Sequence, residues 1–418
     1  MSVVYSQVEN GLKRLYPQTK LDTLTYKDRP TLGLIPQRFN WQGGPLAITF
    51  DIEDTVHGAV SHDGTVAITN ASVVTSKYNR MIIEQVATYA AVNISNQALK
   101  RAQGAGGVGF VDLLKREMDK AVNGLSNKLS IELFRDSTAV IGQLATGTSA
   151  SATEVSLAEP DDIYNFFLGQ RITASATAGG SPYQTSGADS VKEIVGIDYE
   201  TGVIELDSAL NATATNWGTT AYLYSASGDD NAALQGFGAW LPQSLTASNQ
   251  TLNSLDRSVS RSKLAGVSVS YQGSIFGTLK FLLKKIHHLG VGEKVDVVVM
   301  NPTEVHELSE EAEARSSIYK SDKDGSNTAV IGFGGFVIMT DKGPVKVVGD
   351  RHCPRGRAYA LQLDTWKLLS TGPLVQFDDM DGSKISRVTT DFAQQFRLQS
   401  FAQLYCTNPG ANGVAALR

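Results

Sequence analysis

Residues 109–135 read GFVDLLKREMDKAVNGLSNKLSIELFR and carry the clearest structural signal in the chain. Apolar side chains recur there at intervals of three and four, at Val111, Leu114, Met118, Val122, Leu125, Leu129 and Leu133. This spacing places one apolar stripe along a helix. At about 1.5 Å per residue the helix is about 40 Å long, which exceeds a typical globular helix. Partner helices with sustained heptads are missing elsewhere, so the pattern favours one long helix lying across a sheet over a coiled coil.

The chain before this helix has few apolar residues with which to build a core of its own. Residues 1–44 are polar and turn-prone, and we expect an extended arm that cannot fold alone. Residues 45–80 predict a long hairpin, with a turn at 58–64 and a return beginning at 66–69; residues 81–103 fit strand or helix equally well. The first strand alternates apolar with other residues, the apolar positions being Leu46, Ile48, Phe50 and Ile52.

A lone two-stranded hairpin is marginal in water. We therefore expect another part of the protein, or another copy of it, to cover this hairpin's apolar face.

An acidic block follows the long helix. Residues 143–231 contain two basic and twelve acidic residues, a net charge of −10, so the rest of the chain carries +5. Short strand signals at 191–197, 202–206 and 221–224 alternate with turn formers. The block predicts an inserted, exposed, all-β domain; the alternative is a long surface loop, which is rare in a compact protein.

Helix and strand signals alternate after this block. Residues 271–288 predict an amphipathic helix that ends at Gly290. Residues 295–300 predict a buried strand, followed by Asn301 as a helix cap with Glu304 three residues later, as in a capping box. Helix 302–316 follows. Further strands are expected at 336–339, 345–348 and 357–363, with two or three more between 387 and 417.

Composition limits the class of protein. The net charge of −5 argues against a protein that binds nucleic acid through overall positive charge. A hydrophobic content of 42% is typical of a globular protein. Two cysteines, Cys353 and Cys406, are too few to stabilise a chain of 418 residues through disulfides and are typical of a reducing compartment. We expect no secretory signal at the N-terminus and no apolar run long enough to span a bilayer.

The candidate chemical motifs are weak. The segment from Gly104 to Gly109 matches the dinucleotide pattern G-x-G-x-x-G but follows a helical segment, and a flexible hinge is the better interpretation. The six histidines show no metal-ligand spacing, and His287 and His288 fit a helix end. The loops at 322–327 and 378–382 lack complete calcium-binding spacing and predict ordinary turns.

A basic stripe at Lys280, Lys284 and Lys285 is typical of a solvated helix face, with weak phosphate contact as the alternative. None of these motifs forms a catalytic set of residues, and we expect the chain not to be an enzyme. An arm, an uncovered hairpin, one very long helix and an acidic insert instead favour a subunit of a large assembly. An enzyme built from scattered Asp and Ser residues, and a phage tail or other self-assembling surface protein, remain alternatives.

The order of elements resembles the major capsid protein of tailed phages, the Hong Kong 97-type fold. The arm at 1–44, the hairpin at 45–80 and the helix at 109–135 are similar to that family's N-terminal arm, extended loop and spine helix. The segments VDVVVMNPTEVH (295–306) and DRHCPRGRAYALQL (350–363) resemble a central-domain strand and helix and the return towards the peripheral sheet, and NPGANGVAAL (408–417) is similar to the closing strand.

The resemblance implies an α+β capsid fold with a defined domain order. The expected parts are the N-terminal arm at 1–44, the extended hairpin loop at 45–95, a peripheral domain with the spine helix at 96–142, the inserted β-rich domain at 143–231, the central axial domain at 232–350 and return strands at 351–418.

The resemblance also implies a function. Copies would self-assemble through pentamers and hexamers into the icosahedral head shell of a tailed phage and enclose double-stranded DNA with weak, sequence-independent contact. Scaffolding and portal proteins are the further expected partners, with no cofactor, no metal and no membrane. Assembly is expected in the host cytoplasm and the product in the virion. The expected contacts between subunits are Leu46, Ile48, Phe50, Ile52, Arg351 and Arg355.

Some family members cross-link a lysine of the extended loop to a neighbouring asparagine. Lys77 lies near this hairpin, but the sequence fixes no partner asparagine and no catalytic glutamate, so cross-linking is not expected.

Overall fold

A computed structural model describes most of the 418 residues. The described residues are 18–26, 28–38, 41, 44–51, 60–71, 78–97, 108–148, 152–181, 191–210, 217, 220–225, 232–292, 294–315, 336–378, 386–387 and 392–418.

The described helices are numbered in chain order. They are α1 (Gln18–Tyr26), α2 (Pro30–Leu34), α3 (Gly64–Ala71), α4 (Val108–Phe134), α5 (Phe237–Trp240), α6 (Arg261–Leu264), α7 (Ile275–Leu289) and α8 (Pro302–Arg315). Short 3-10 helices cover Pro160–Asn165, Leu363–Thr365 and Pro409–Ala411.

The strands are numbered in the same way. They are β1 (Gln37–Arg38), β2 (Leu46–Asp51), β3 (Tyr78–Ile83), β4 (Val86–Ser95), β5 (Val140–Gln143), β6 (Glu154–Ser156), β7 (Arg171–Ser175), β8 (Lys192–Asp198), β9 (Val203–Leu206), β10 (Tyr222–Tyr224), β11 (Thr251–Leu252), β12 (Leu255–Asp256), β13 (Val267–Val269), β14 (Val297–Met300), β15 (Phe336–Thr340), β16 (Gly343–Gly349), β17 (Arg357–Leu361), β18 (Trp366–Ser370), β19 (Gln376–Phe377), β20 (Ser386–Arg387), β21 (Ala393–Cys406) and β22 (Gly413–Ala416).

The chain divides into two units. The first comprises 1–43, 85–236 and 367–404, and the second comprises 44–84, 237–366 and 405–418.

The first unit contains the long helix. Helix α4 runs from Val108 to Phe134, as the apolar stripe predicts, and lies against β4. Strand β4 pairs along its whole length with β21, from Ser95 opposite Ala393 to Val86 opposite Ala402. The sheet has the order β1-β18-β21-β19, in which β18 pairs in parallel with β1. The long helix therefore packs on a sheet that joins segments from both ends of the chain.

The strands between 140 and 224 form a second sheet in the first unit. Its order is β5-β10-β7-β8-β9-β6, the neighbouring strands are antiparallel, and a bridge between Leu144 and Leu157 joins the two outer strands. Ala145 N donates to Ser156 O at 2.9 Å and Ala158 N to Gln143 O at 2.8 Å, so the six strands close into a small barrel. Closure pairs strand edges that would otherwise be exposed. The core of this barrel is apolar and includes Phe166, Ile194 and Leu223, each fully buried.

The end of α4 is tied to this barrel. Arg135 donates from Nη2 to Asp162 Oδ1 at 2.5 Å and to the carbonyl of Ile141 at 3.3 Å. Burial raises the pKa of Asp162, and the charge of Arg135 opposes that rise. Ile131 of α4 contributes directly to the barrel core.

The second unit is built on a mixed six-stranded sheet in the order β13-β22-β17-β14-β16-β15. Helices α7 and α8 pack on it, and the shared core includes Leu279, Leu282, Val298 and Leu308, all fully buried. Helix α7 ends at Gly290, which adopts φ 66°, the left-handed conformation that glycine takes without strain. The expected cap of this helix is therefore confirmed, although its first residue is Ile275 and not 271.

Two local expectations are wrong. The arm at 1–44 is not extended throughout, because α1 and α2 are helices that contact α4. Residues 66–69 are not a return strand but part of α3, whose first turn is capped: Thr65 N donates to Asp63 Oδ1 at 2.8 Å. The return strand is β3, which begins at Tyr78.

Candidate functional site

The β2–β3 hairpin carries the first group of predicted subunit contacts. Strand β2 pairs antiparallel with β3, with Leu46 opposite Ile83 and Ile48 opposite Met81. Leu46 and Ile48 are half-buried, whereas Phe50 is only 6% exposed. Ile52 lies outside the described residues. Phe50 is thus covered within a single copy, so a neighbouring copy is not needed to shelter that side chain.

The chain itself covers part of this hairpin. Met81 and Ile83 are fully buried, and β12 contacts β3 within the same unit. The opposite face remains open to solvent, with Ala47, Thr49 and Ile82 exposed. Part of the apolar face that the sequence assigns to an intersubunit contact is therefore packed within one copy, while Leu46 and Ile48 stay partly exposed.

The helix between the two hairpin strands has no cover from the described residues. Helix α3 has no buried residue, and its apolar side chains Val66 and Ile68 are 45% and 75% exposed. An eight-residue helix is marginal in water without tertiary contacts. The sequence analysis missed these two residues because it assigned them to a strand.

The loop between β16 and β17 carries Arg351 and Arg355, the second group of predicted contacts. Two side chains from the start of α8 hold the loop. Asn301 donates from Nδ2 to the carbonyl of Cys353 at 3.1 Å, and Glu304 Oε1 accepts from the backbone N–H of Gly356. Arg355 donates from Nη2 to Glu307 Oε1 at 3.4 Å, while Arg351 is exposed.

Glu304 does not complete a capping box. Asn301 Oδ1 caps α8 as expected, by accepting from Thr303 N at 2.9 Å, but the Glu304 carboxylate points to the loop and not back to the cap. Glu304 is 2% exposed, and its Oε2 makes no hydrogen bond to the described residues. Burial raises the pKa of Glu304 to about 7, against the lowering effects of the Gly356 N–H, Arg355 and Arg418. This carboxyl group therefore titrates near neutrality at the base of the arginine loop.

Both cysteines, Cys353 and Cys406, and His352 are buried. Cys353 is 2% exposed with Sγ 3.8 Å from the carbonyl of Arg357, and His352 is 1% exposed. Burial raises the pKa of the Cys406 thiol to about 12, so its thiolate is scarce at neutral pH.

The remaining motifs have mixed outcomes. Within the part of the chain that the structure describes, no three His, Cys, Asp or Glu side chains cluster so that they could hold a metal ion. The loop at 322–327 and most of the loop at 378–382 lie outside the described residues, as do residues 104–107 of the glycine-rich segment. Among the described helices, none combines the length and apolar character that crossing a bilayer requires.

Exposed apolar side chains mark further candidate contact surfaces. They occur on the β4–β21 sheet and on the edge strand β15, and include Tyr89, Phe392, Val337 and Met339. Met339 and Phe392 are the most exposed of these, at 75% and 78%.

Comparison with known proteins identifies the fold. No protein-family model and no curated protein matches the chain. The capsid of cyanophage A-1(L) aligns with a TM-score of 0.51 and 13% sequence identity, over 93% of this chain and 93% of that chain. At this identity the likeness shows the fold alone. The chain therefore has the mixed α+β fold of a phage capsid protein of the Hong Kong 97 type, as the sequence resemblance implied.

Two other solved structures align over most of the chain with lower scores. The holo-SrpI encapsulin from Synechococcus elongatus PCC 7942 gives a TM-score of 0.42 at 7% identity, covering 97% of this chain and 89% of that chain. The capsid of a native GTA particle gives 0.42 at 9% identity, covering 92% and 89%. The fold assignment rests on the cyanophage capsid.

Proposed function

We propose that this protein is the structural subunit that self-assembles into the icosahedral head shell of a tailed phage and encloses its double-stranded DNA. The observation that carries the proposal is the full-length likeness to a cyanophage capsid, 93% of each chain. A closed shell requires each copy to make contacts that close on themselves around five-fold and six-fold clusters. We accordingly assign it a structural role and not a catalytic one.

Helix α3 supports the proposal because the residues that the structure describes leave it uncovered in a single copy. Val66 and Ile68 lie at the tip of the β2–β3 hairpin, and neither packs into a core. We assign the tip to a contact with a neighbouring subunit, where burial of these side chains would stabilise both the helix and the interface. Leu46 and Ile48 would contribute at the edge of that contact, and Arg351 and Arg355 on a second one.

The domain order of the capsid fold is proposed from the same resemblance. The arm, hairpin loop, peripheral domain, inserted domain, axial domain and return strands keep the ranges expected above. One refinement concerns the insert, because its barrel begins at β5, with Val140 opposite Tyr224 in neighbouring strands. Joining Ala139 to Ser225 by a short Gly-Ser linker would remove the barrel while keeping α4 and the β4–β21 sheet.

Charge suggests how the subunit is oriented. The barrel region at 143–231 carries −10 and the rest of the chain +5. Packed phosphate repels negative charge, so we place the barrel on the outside and the remaining surface towards the DNA. Scaffolding and portal proteins are the proposed partners, and assembly in the host cytoplasm is the proposed route into the virion.

The role of the hairpin tip is tested by the double substitution V66S and I68S in the full-length protein. The variant should fold but lose self-assembly, because two exposed apolar anchors are removed. Sedimentation velocity measures the particle fraction and circular dichroism the fold. Leu168→Ser is the matched control, since Leu168 is 70% exposed on the barrel, which we place outside the shell contacts. Normal shells from the double variant would contradict the assignment.

A further inference from the structure

A polar cleft in the second unit is not used by the contacts above. It lies between α6, the start of β13 and the C-terminal part of α7, and measures about 500 Å³. The side chains that give it its character are Arg261, Lys285 and His288, together with the hydroxyl groups of Ser262 and Ser268. The volume is within the range of sites that hold a small ligand or part of a larger one.

The cleft is a concentration of positive charge and hydrogen-bond donors. No Asp or Glu of the described residues lines it. Arg261, Lys285 and His288 are exposed, and none of them makes an ion pair with a carboxylate in the described part of the chain. Their donors are therefore available to a ligand, which an anion would satisfy best.

Core packing and backbone hydrogen bonds fix the two walls of the cleft. Helix α7 is fixed by the buried side chains of Leu282, Leu283 and Ile286, and Lys285 Nζ lies 4.8 Å from the centroid of the Phe281 ring. On the other side, Val267 N donates to Asn412 O at 3.0 Å. Gly266 between them has φ 74°, and a Cβ there would meet Leu241 Cδ2 at 2.4 Å. The basic groups thus stand on two walls that the core holds in place.

The lining indicates which anion fits. Arginine, lysine and serine are the side chains that bind phosphate oxygens and sugars in nucleic-acid complexes. Among the described residues no Phe, Tyr or Trp side chain lines the cleft, and its single ring is the imidazole of His288, so successive bases have no run of aromatic rings on which to stack. On the basis of the proposed function, we propose that this cleft binds the phosphodiester backbone of nucleic acid without regard to sequence. The Lys280 and Lys284 side chains, on the same helix but outside the cleft, are solvated.

Binding of a fluorescein-labelled DNA duplex of mixed sequence by the full-length protein tests this site. The variant R261Q/K285Q removes two charges from the cleft, and K280Q/K284Q removes two charges from helix α7 outside it. Fluorescence anisotropy over a salt series measures affinity and salt dependence. We expect R261Q/K285Q to weaken binding at least tenfold at low salt and to flatten the slope of log K against log salt by about 2, since each phosphate contact contributes about 0.9.

The control and the competing ligand decide the outcome. K280Q/K284Q should stay within about twofold of the parent, because the contacts in the cleft are intact. Equal losses in the two double variants would overturn the site, as they would show general attraction to net charge. Binding of poly-L-glutamate that equals DNA binding and also depends on Arg261 and Lys285 would overturn the nucleic-acid assignment in favour of an acidic protein segment.

Light scattering on the same variants, at subunit concentrations that form particles, reports assembly separately from the DNA-binding measurement, which is made below those concentrations. If the variants assemble normally and DNA binding does not depend on the cleft, the inference about the cleft is wrong while the proposed function stands.

Discussion

Asn127 Oδ1 accepts two hydrogen bonds from the guanidinium of Arg29, from Nε at 3.0 Å and from Nη2 at 2.6 Å, across 98 positions of sequence. Arg29 is 3% exposed and also donates to the carbonyls of Leu24 and Thr25. One buried cation therefore closes the end of α1 and fastens it to the middle of α4.

Replacing Arg29 should loosen this part of the fold. Arg29→Ala leaves buried carbonyl and amide groups without a partner, and we expect the free energy of unfolding to fall by about 3 kcal/mol. Urea denaturation of unassembled subunits measures the loss, and hydrogen exchange should show faster exchange over α1 and α2. Lys120→Ala is the control, because Lys120 is 72% exposed and pairs only along its own helix. Unchanged protection of α1 in the Arg29 variant would refute the fastening role.

The sequence predicts α4 well because its signal is local. Each turn of that helix carries its own apolar residue, and the segment holds its period over its full length. The helices α1 and α2 have no comparable signal in the sequence. They are stabilised by contact with α4 and by the hydrogen bond from Arg29 to Asn127, two residues too far apart in sequence for a local pattern to pair them. Helix α3 was missed for a different reason: Val66 and Ile68 favour strand, but Asp63 caps a helix there.

The candidate site could be predicted only in part. The alternation of Leu46, Ile48 and Phe50 identifies one face of β2 but not what packs against the hairpin, because β12, which contacts the paired strand β3, is distant in sequence. The Asn301 cap follows from the local pattern. The partner of Glu304 does not, because Gly356 lies 52 positions further along the chain.

Glu304 predicts a pH dependence of stability. Its pKa is raised from 4.5 to about 7 in the folded protein, so the folded state prefers the protonated carboxyl. The contribution of this group is full below pH 4.5, falls as the pH rises through about 7, and amounts to roughly 3 kcal/mol at most. Glu304→Gln keeps the acceptor for Gly356 N–H and should gain stability over the parent as the pH rises from 5 to 8.

Thermal unfolding of both proteins across that pH range measures the difference. Glu310→Gln provides the control, since Glu310 is 68% exposed and should leave the pH profile unchanged. A constant gap between the parent and the Glu304 variant at every pH would rule out the titration of this carboxyl group.

Two glycines in the first unit should respond in opposite directions to alanine. A Cβ on Gly236 would lie 2.2 Å from the carbonyl oxygen of Glu132 and 2.3 Å from that of Leu133, so Gly236→Ala must displace backbone at the end of α4. We expect a loss of about 3 kcal/mol. Gly124 lies within α4 with nothing within 4 Å of a Cβ, and Gly124→Ala should gain about 1 kcal/mol. Denaturation midpoints of the two variants on the same side of the parent would contradict this packing.

Asn412 should be essential to the second unit. Its Oδ1 accepts from Gln362 N at 2.7 Å and from Trp366 Nε1 at 2.8 Å, and its Nδ2 donates to Thr365 Oγ1 at 3.0 Å. Asn412→Ala leaves these buried groups unsatisfied and should cost about 3 kcal/mol. Thr407→Ala, at an exposed neighbouring position, should cost about 0.5 kcal/mol in the same calorimetric experiment. Equal melting temperatures for the two variants would remove Asn412 from this role.

Electron microscopy of the purified full-length protein, expressed alone and with a candidate scaffolding partner, tests the central claim most directly. We expect closed polyhedral shells built from five-fold and six-fold clusters of one chain, and their loss when Val66 and Ile68 are both serine. Open tubes or rings would indicate a tail or surface-layer subunit. Well-folded single copies that form no particles under either condition would contradict the claim that this chain builds a container.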